Sequence, residues 1–453
     1  MLKSIKKSFK YLMILVGIIL LVPTFASLIL RIPEVQTFMV KRIMGHFSEK
    51  IQSSMTLGRI EYTFFNKLLI NDLLIKDQNN DTLIYSKKIA AGINRLDFTA
   101  KTIKLGHIEL FEPTIAIITD SSGIMNLKWY LDLLGSSEDT VKKSDNKFMI
   151  NQITINDGRF ALLNRSGPEA KKMIDFNNLR LSGINGNIEN VRILNDSTMF
   201  TVKELGFSES GGFLVRSMNS KVAFADNDII FRDLFLYLDS SIINADYVVL
   251  EGDSDDSFKR FTDDVRLDIA LQKSLISIAD LRFFLPALTG YNESAELSGR
   301  ITGTIAELKG RNIRASYRAY GYLDCDFDLS GLPEFKDTFI HIGFNSLRAN
   351  AKDLEKIKRN GKDSLAIPDV LNKLGDISFN GSFTGFLTDF VTYGKLSTEA
   401  GNIITDISLR PEGKSSFRIK GMIKGNDVDL VLLTGKSEIL GSLTMETEVD
   451  GFA

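Results

Sequence analysis

The chain has 453 residues, 44% hydrophobic and 25% charged, with 55 basic against 57 acidic side chains and a formal net charge of −2. That is globular rather than disordered composition, with room for two or three domains. The balanced charge, without a basic stripe, argues against nucleic acid as a partner. One cysteine, Cys325, excludes an internal disulfide, so the fold rests on packing and hydrogen bonds.

Lys3, Lys6, Lys7 and Lys10 precede an uncharged run from Tyr11 through Leu15, Leu20 and Pro23 to Leu30. As a helix it would be about 30 Å long, enough to cross a bilayer's hydrocarbon core. It is read as a retained anchor rather than a cleaved signal, because the apolar run continues past the small residues around Ala26. Pro23 is tolerable as a kink. The lysine bias predicts an N-terminus in the cytoplasm and a far-side location for the rest. Residues 1–31 form this start and anchor.

Residues 32–55 carry Val35, Phe38, Met39, Ile43, Phe47 and Ile51 on one helical face after Pro33. Packing on the first strands and lying on a membrane surface both fit this amphipathic pattern. From Leu57 the periodicity becomes two, and residues 56–134 are expected to form an N-terminal β module. The polar segment 135–147 marks a boundary, and 148–453 is expected to be a repeated β segment. Glu251–Asp264 reads as a second surface loop.

Three stretches show the alternation most clearly. Val265, Leu267, Ile269 and Leu271 alternate with Arg266, Asp268, Ala270 and Gln272. Ile340, Ile342 and Phe344 alternate with His341, Gly343 and Asn345. Leu443, Met445 and Val449 share one side of the last stretch. Each predicts a strand with one wet and one dry face. Short helices are expected at Ser277–Leu285 and Asp353–Arg359, and tight hairpins at Asn185-Gly186, Asn360-Gly361 and Asp157-Gly158. Leu297-x-Gly299-x-Ile301-x-Gly303 repeats as Phe379-x-Gly381-x-Phe383-x-Gly385 and as Ile419-x-Gly421-x-Ile423-x-Gly425. Such repetition suits an extended structure.

No catalytic motif is complete. Gly413-Lys414-Ser415 and Gly435-Lys436-Ser437 lack the first glycine of a phosphate-binding loop. Ser208 lacks the second glycine of a nucleophile elbow. Asp253, Asp255 and Ser257 have calcium-loop spacing, but Phe258 stands where the turn needs glycine. His46, His107 and His341 have no metal-binding spacing. The expectation is a non-enzyme without cofactor or metal. Its predicted fold is mostly β: an N-terminal transmembrane helix, then an elongated antiparallel sheet curled into a groove, with a few short helices. Val265, Leu267, Ile269, Leu271, Ile340, Ile342, Phe344, Leu443, Met445 and Val449 are the candidate lining, and phospholipid is the candidate cargo.

Several segments carry a family resemblance: Leu57-Gly58-Arg59-Ile60, Leu69 to Asp77, Asp81-Thr82-Leu83, Ile108 to Ile115 and Gly123 to Leu127. Ile153 to Phe160 resembles the opening of a following β unit. Together they resemble the AsmA-like superfamily, in particular its TamB branch, the inner-membrane subunit of a translocation and assembly module. The resemblance implies a periplasmic, taco-shaped β groove anchored in the inner membrane and engaged in lipid transport and outer-membrane biogenesis. It also implies an outer-membrane barrel partner, met through a C-terminal domain. This chain stops at Ala453, directly after a strand, and is expected to be a fragment or a short member. The competing expectation is a scaffold that assembles outer-membrane proteins by β-augmentation on an open sheet edge.

Overall fold

A computed structural model describes residues 54–63, 67–97, 102–127, 148–165, 174–175, 178–194, 197–225, 227–254, 257–284, 288–350, 353, 356, 358–359, 363–364, 373–412, 416–434 and 441–452. The expected anchor (Tyr11, Leu15, Leu20, Pro23, Leu30), the amphipathic helix, the 135–147 boundary and His46 lie outside the described residues. Among the described residues no helix is long and apolar enough to cross a membrane. Strands dominate, as the alternation predicts. The chain divides into two compact units, Met1–Asp239 with Ser254–Asp256, and Ser240–Asp253 with Ser257–Ala453.

The first unit contains β1 (Met55–Thr56), β2 (Ile60–Thr63), β3 (Lys67–Lys76), β4 (Thr82–Asp97), β5 (Thr102–Phe111), β6 (Thr114–Thr119), β7 (Phe148–Asn164), β8 (Asn178–Leu194), β9 (Ser197–Glu209), β10 (Leu214–Ala225) and β11 (Asp228–Leu238). Antiparallel pairing prevails, with one departure. Both β5 and β6 pair with β7 in parallel, Ile103 opposite Phe148 and Thr114 opposite Arg159. The sequence offset is 45 in each case (148 minus 103, 159 minus 114). β5 and β6 therefore act as one long strand, interrupted at Glu112 and Pro113. A parallel pair needs a crossover, and the chain between Thr119 and Phe148 supplies it.

This unit holds a sealed core: Leu68, Ile70, Leu73 and Ile75 of β3, Ile108 of β5, Ile150 and Ile153 of β7 and Val191 of β8 are almost wholly buried. The buried Asp77 is satisfied by its own turn. Its carboxylate accepts the Asn79 and Asp81 backbone N–H groups, each at 2.9 Å, and the Asn126 side-chain amide at 3.0 Å.

The second unit contains β12 (Ile242–Gly252), β13 (Val265–Ser277), β14 (Ser294–Gly303), β15 (Glu307–Tyr317), β16 (Gly321–Ser330), β17 (Phe339–Asn350), the two-residue pair β18 (Lys358–Arg359) and β19 (Asp363–Ser364), then β20 (Asp376–Phe386), β21 (Asp389–Thr398), β22 (Gly401–Pro411), β23 (Phe417–Asp429) and β24 (Ser442–Phe452). Apart from β18 and β19, each strand pairs antiparallel with the next, so eleven strands form one meander. Short helices interrupt it: α1 (Phe261–Asp264), α2 (Ile278–Leu281) and α3 (Leu430–Thr434). The helix expected from Ser277 is the single turn α2, with Ser277 as N-cap accepting from the Ala279 N–H. The segment read as a loop at Glu251–Asp264 includes the end of β12, a 3-10 turn (Ser257–Arg260) and α1. Ser257 there is buried.

Two expected hairpins are not hairpins. Asp157-Gly158 lies inside β7, and Asn185-Gly186 lies inside the neighbouring β8. Asp157 takes a left-handed φ of 53°, and its N–H, turned out of the ladder, donates to the Asn185 side-chain oxygen at 2.9 Å. These residues make a β-bulge, because Asn and Asp tolerate the same left-handed backbone in a bulge as in a turn. Glu204 (φ 52°) donates likewise to Asn219, Asn312 (φ 52°) to Asp326, and Asp427 (φ 55°) to the Thr444 hydroxyl. Asn360-Gly361 falls between β18 and β19, outside the described residues.

Candidate functional site

In an antiparallel sheet, directly opposed residues share a face. Following the register through the second unit, Val248 opposes Ile269, then Ile301, Gly310, Phe327, Ile342, Phe383, Thr392, Ile407, Gly421 and Val449. A second row runs from Leu250 through Leu267, Gly303, Leu308, Leu329, Ile340, Gly385, Phe390, Leu409 and Ile419 to Gly451. A third joins Ile313, Cys325, Phe344, Gly381, Gly394, Thr405, Ile423 and Thr447. Met445 opposes Gly425, and Leu443 opposes Val428, at one end of the same face. No charged residue stands on these rows. With neighbouring strands about 4.8 Å apart, the ten intervals between eleven strands carry the face about 48 Å.

The opposite face is polar and stitched by cross-strand ion pairs. The Arg300 guanidinium donates to both Asp268 carboxylate oxygens, at 3.0 and 2.9 Å. Arg311 pairs with Asp328 at 2.7 Å, and Arg418 with Asp450 at 2.8 Å. Asp268 and the Arg418 partner Asp450 thus do electrostatic work on the wet side, and the Arg418 guanidinium holds the Asp450 carboxyl below the usual range.

The structure brings the candidate lining residues to one face, yet their burial differs. Leu267, Ile269, Leu271, Ile342, Phe344, Leu443 and Val449 are half-buried, and Met445 is 37% exposed. In the first unit's core, by contrast, Ile70 and Ile108 are each 0% exposed. This face of the second unit is therefore apolar without being sealed. Val265, fully buried at the first residue of β13, and Ile340 are the covered members.

Aromatic pairs form part of the same face. Phe344 and Phe379 meet edge to face with centroids 5.6 Å apart, and Phe383 and Phe390 lie 4.7 Å apart. The repeated glycines belong here too, on the same side as the apolar residues. At Gly421 (φ 149°) a Cβ would stand 2.0 Å from the Asp406 carbonyl oxygen, so the neighbouring backbone occupies the side-chain position. Glycine in a strand often marks such a close approach. The repeat of apolar and glycine positions was thus the available signal for this face.

The described features considered for chemistry each have their own local surroundings. His107 lies on β5 beside Glu109 at 3.2 Å, and His341 lies on the polar face of β17, where its Nδ1 is 2.8 Å from the Thr384 hydroxyl. Ser208 meets the Ser182 hydroxyl and carbonyl. Asp253 accepts from Arg266 at 2.7 Å. Cys325 is buried on the apolar face, and burial, with Asp326 and Asp324 nearby, pushes its thiol up and away from the reactive thiolate. Among the described residues no group of three His, Cys, Asp or Glu side chains is arranged to hold a metal ion. No protein-family model, curated protein or solved structure matches this chain.

Proposed function

We propose that the apolar face of the second unit is a groove for the acyl chains of phospholipids. In this reading its sheet curls lengthwise, with the headgroup kept in water at the open seam. The protein is an inner-membrane-anchored periplasmic carrier, moving lipid toward the outer membrane in support of its biogenesis. The anchor is the Tyr11–Leu30 run, inserted as a transmembrane helix with the lysines inside. Kinship with the AsmA-like superfamily, TamB branch, is part of the same proposal, as is an outer-membrane barrel partner.

One observation carries the reading: an uncharged, largely apolar face continues across eleven strands and is buried only in part. Exposing a sixteen-carbon acyl chain to water costs about 13 kcal/mol at about 0.8 kcal/mol per methylene. Such a face removes most of that cost while leaving the lipid free to slide. No bond is made or broken, so no catalytic group is required.

The test is gentle extraction of the full chain followed by mass spectrometry of bound lipid. Stoichiometric phospholipid, reduced when a charge is placed at Ile269, is the expected result. Lipid-free protein that instead crosslinks along a strand edge to unfolded outer-membrane proteins would overturn the groove in favour of β-augmentation.

A further inference from the structure

Three threonines, Thr392, Thr405 and Thr447, stand on the apolar-face rows of β21, β22 and β24. Two have acceptors within the sheet. The Thr392 hydroxyl donates to the Ser382 carbonyl at 3.1 Å and the Thr447 hydroxyl to the Glu448 carbonyl at 3.3 Å. Thr405 differs. Its Oγ1 is buried, with no hydrogen-bond partner among the described residues. A buried hydroxyl without an acceptor is unfavourable, and native proteins rarely leave one so unless something else meets it.

The surroundings of Thr405 are equally specific. It follows Gly381 and Gly394 on one row. The Phe379 ring lies over that glycine pair, its atoms 2.7–2.8 Å from where a Cβ at either glycine would stand. The floor beside Thr405 is therefore backbone at two glycine positions, with the Phe379 ring packed on it and Phe344 edge to face against that ring.

We propose that Gly381, Gly394 and Thr405 form a subsite for the ester carbonyl of an acyl glycerolipid, uncovered when the Phe379 ring turns away. This rests on the groove reading and narrows its cargo. The chemistry selects an ester over a free fatty acid, because the apolar face offers no cation to a carboxylate and burying an unpaired charge is costly. A neutral carbonyl needs only one donor. The threonine hydroxyl is that donor, and the acyl chain beyond the carbonyl continues along the apolar row.

The experiment loads the purified full chain from an equimolar mixture of diester and diether phosphatidylcholine with matched sixteen-carbon chains. Bound lipids are then quantified by mass spectrometry. One net hydrogen bond corresponds to about a fivefold preference for the diester. That preference is expected in the unaltered protein, in Thr405→Ser and in the polar-face variant Lys309→Gln, and is expected to fall to about one in Thr405→Val, with circular dichroism confirming the fold. An unaltered protein without ester preference, or a Thr405→Val protein that retains it, overturns the subsite while leaving the groove standing. An unaltered protein that takes up neither lipid overturns the groove and the subsite together.

Discussion

Gly394 faces Gly381 directly across β20 and β21, and the ring of Phe379 fills the space that a side chain at either position would take. The neighbouring backbone is closer still: a Cβ at Gly381 would lie 2.2 Å from the Tyr393 carbonyl oxygen. The two strands approach so tightly there that absence of a side chain is a condition of the pairing. Gly343, on the polar face of β17, has nothing within 4 Å of such a Cβ.

Gly381→Val should therefore destabilise the protein by about 3 kcal/mol, as overpacking against immobile backbone does. Gly343→Ala should be neutral or stabilise by up to about 1 kcal/mol, because alanine loses less chain entropy in a strand. Urea midpoints of the two variants measure the contrast. Equal midpoints would show that the glycine pair is not under steric demand.

Charge insertion should separate the sealed core from the open face. Ile108→Asp places a carboxylate at a wholly buried position and should cost about 3–5 kcal/mol, enough to unfold a marginal domain. Ile269→Asp, at a half-buried position, should fold while losing lipid crosslinking. Asp268→Lys is a poor control, because it would set a second cation against Arg300. Lys309→Gln on the same polar face serves instead. Thermal melts paired with crosslinking yields decide the matter.

The bulge at Asn312 makes a conformational prediction. Its φ of 52° is accessible to glycine and asparagine but strained for a β-branched residue. Asn312→Gly should stay within about 0.5 kcal/mol of the unaltered protein, whereas Asn312→Val should lose about 1–2 kcal/mol. Chemical denaturation of both variants checks the ordering.

Acid stability should depend on Asp324. Its carboxyl is held below the ordinary range first by the hydrogen bond from Asn345, and also by Arg314 and Tyr322, which together outweigh the opposing effect of burial. A depressed folded-state value means that the stabilisation is present above the unfolded-state value of about 3.9 and is lost as pH falls through the lower folded-state value. Asp324→Asn should therefore lose stability at neutral pH and show a shallower decline on acidification. Melting temperatures between pH 7 and pH 2, taken at constant ionic strength, measure the slope.

Much of the fold was legible in the residues because strand side chains repeat every two positions. The alternation at Val265–Leu271, Ile340–Phe344 and Leu443–Val449 lies within β13, β17 and β24, and the threefold glycine motif falls on β14, β20 and β23. Local periodicity fixes which face of a strand is apolar, whatever its neighbours. What it does not carry is continuity across a bulge. In β15 the apolar-face positions step from Gly310 to Ile313, and in β23 from Gly425 to Val428, because Asn312 and Asp427 each add a residue in left-handed conformation. Arg311-Asn312-Ile313 and Asn426-Asp427-Val428 look like turn chemistry until a neighbouring strand supplies an acceptor for the displaced N–H.

Composition and periodicity by themselves determined a β-rich chain with wet and dry strand faces and without a complete catalytic motif. Only the tertiary structure decided which dry faces are sealed and which stay open. Ile108 and Ile269 are both isoleucines on alternating strands, yet the first is packed into the core of β3, β5, β7 and β8 and the second is only half-buried. The same holds for Gly381 and Gly343, and for the hydroxyls of Thr392 and Thr405. Burial and hydrogen-bond satisfaction depend on atoms contributed by distant segments, and no window of the sequence contains both partners.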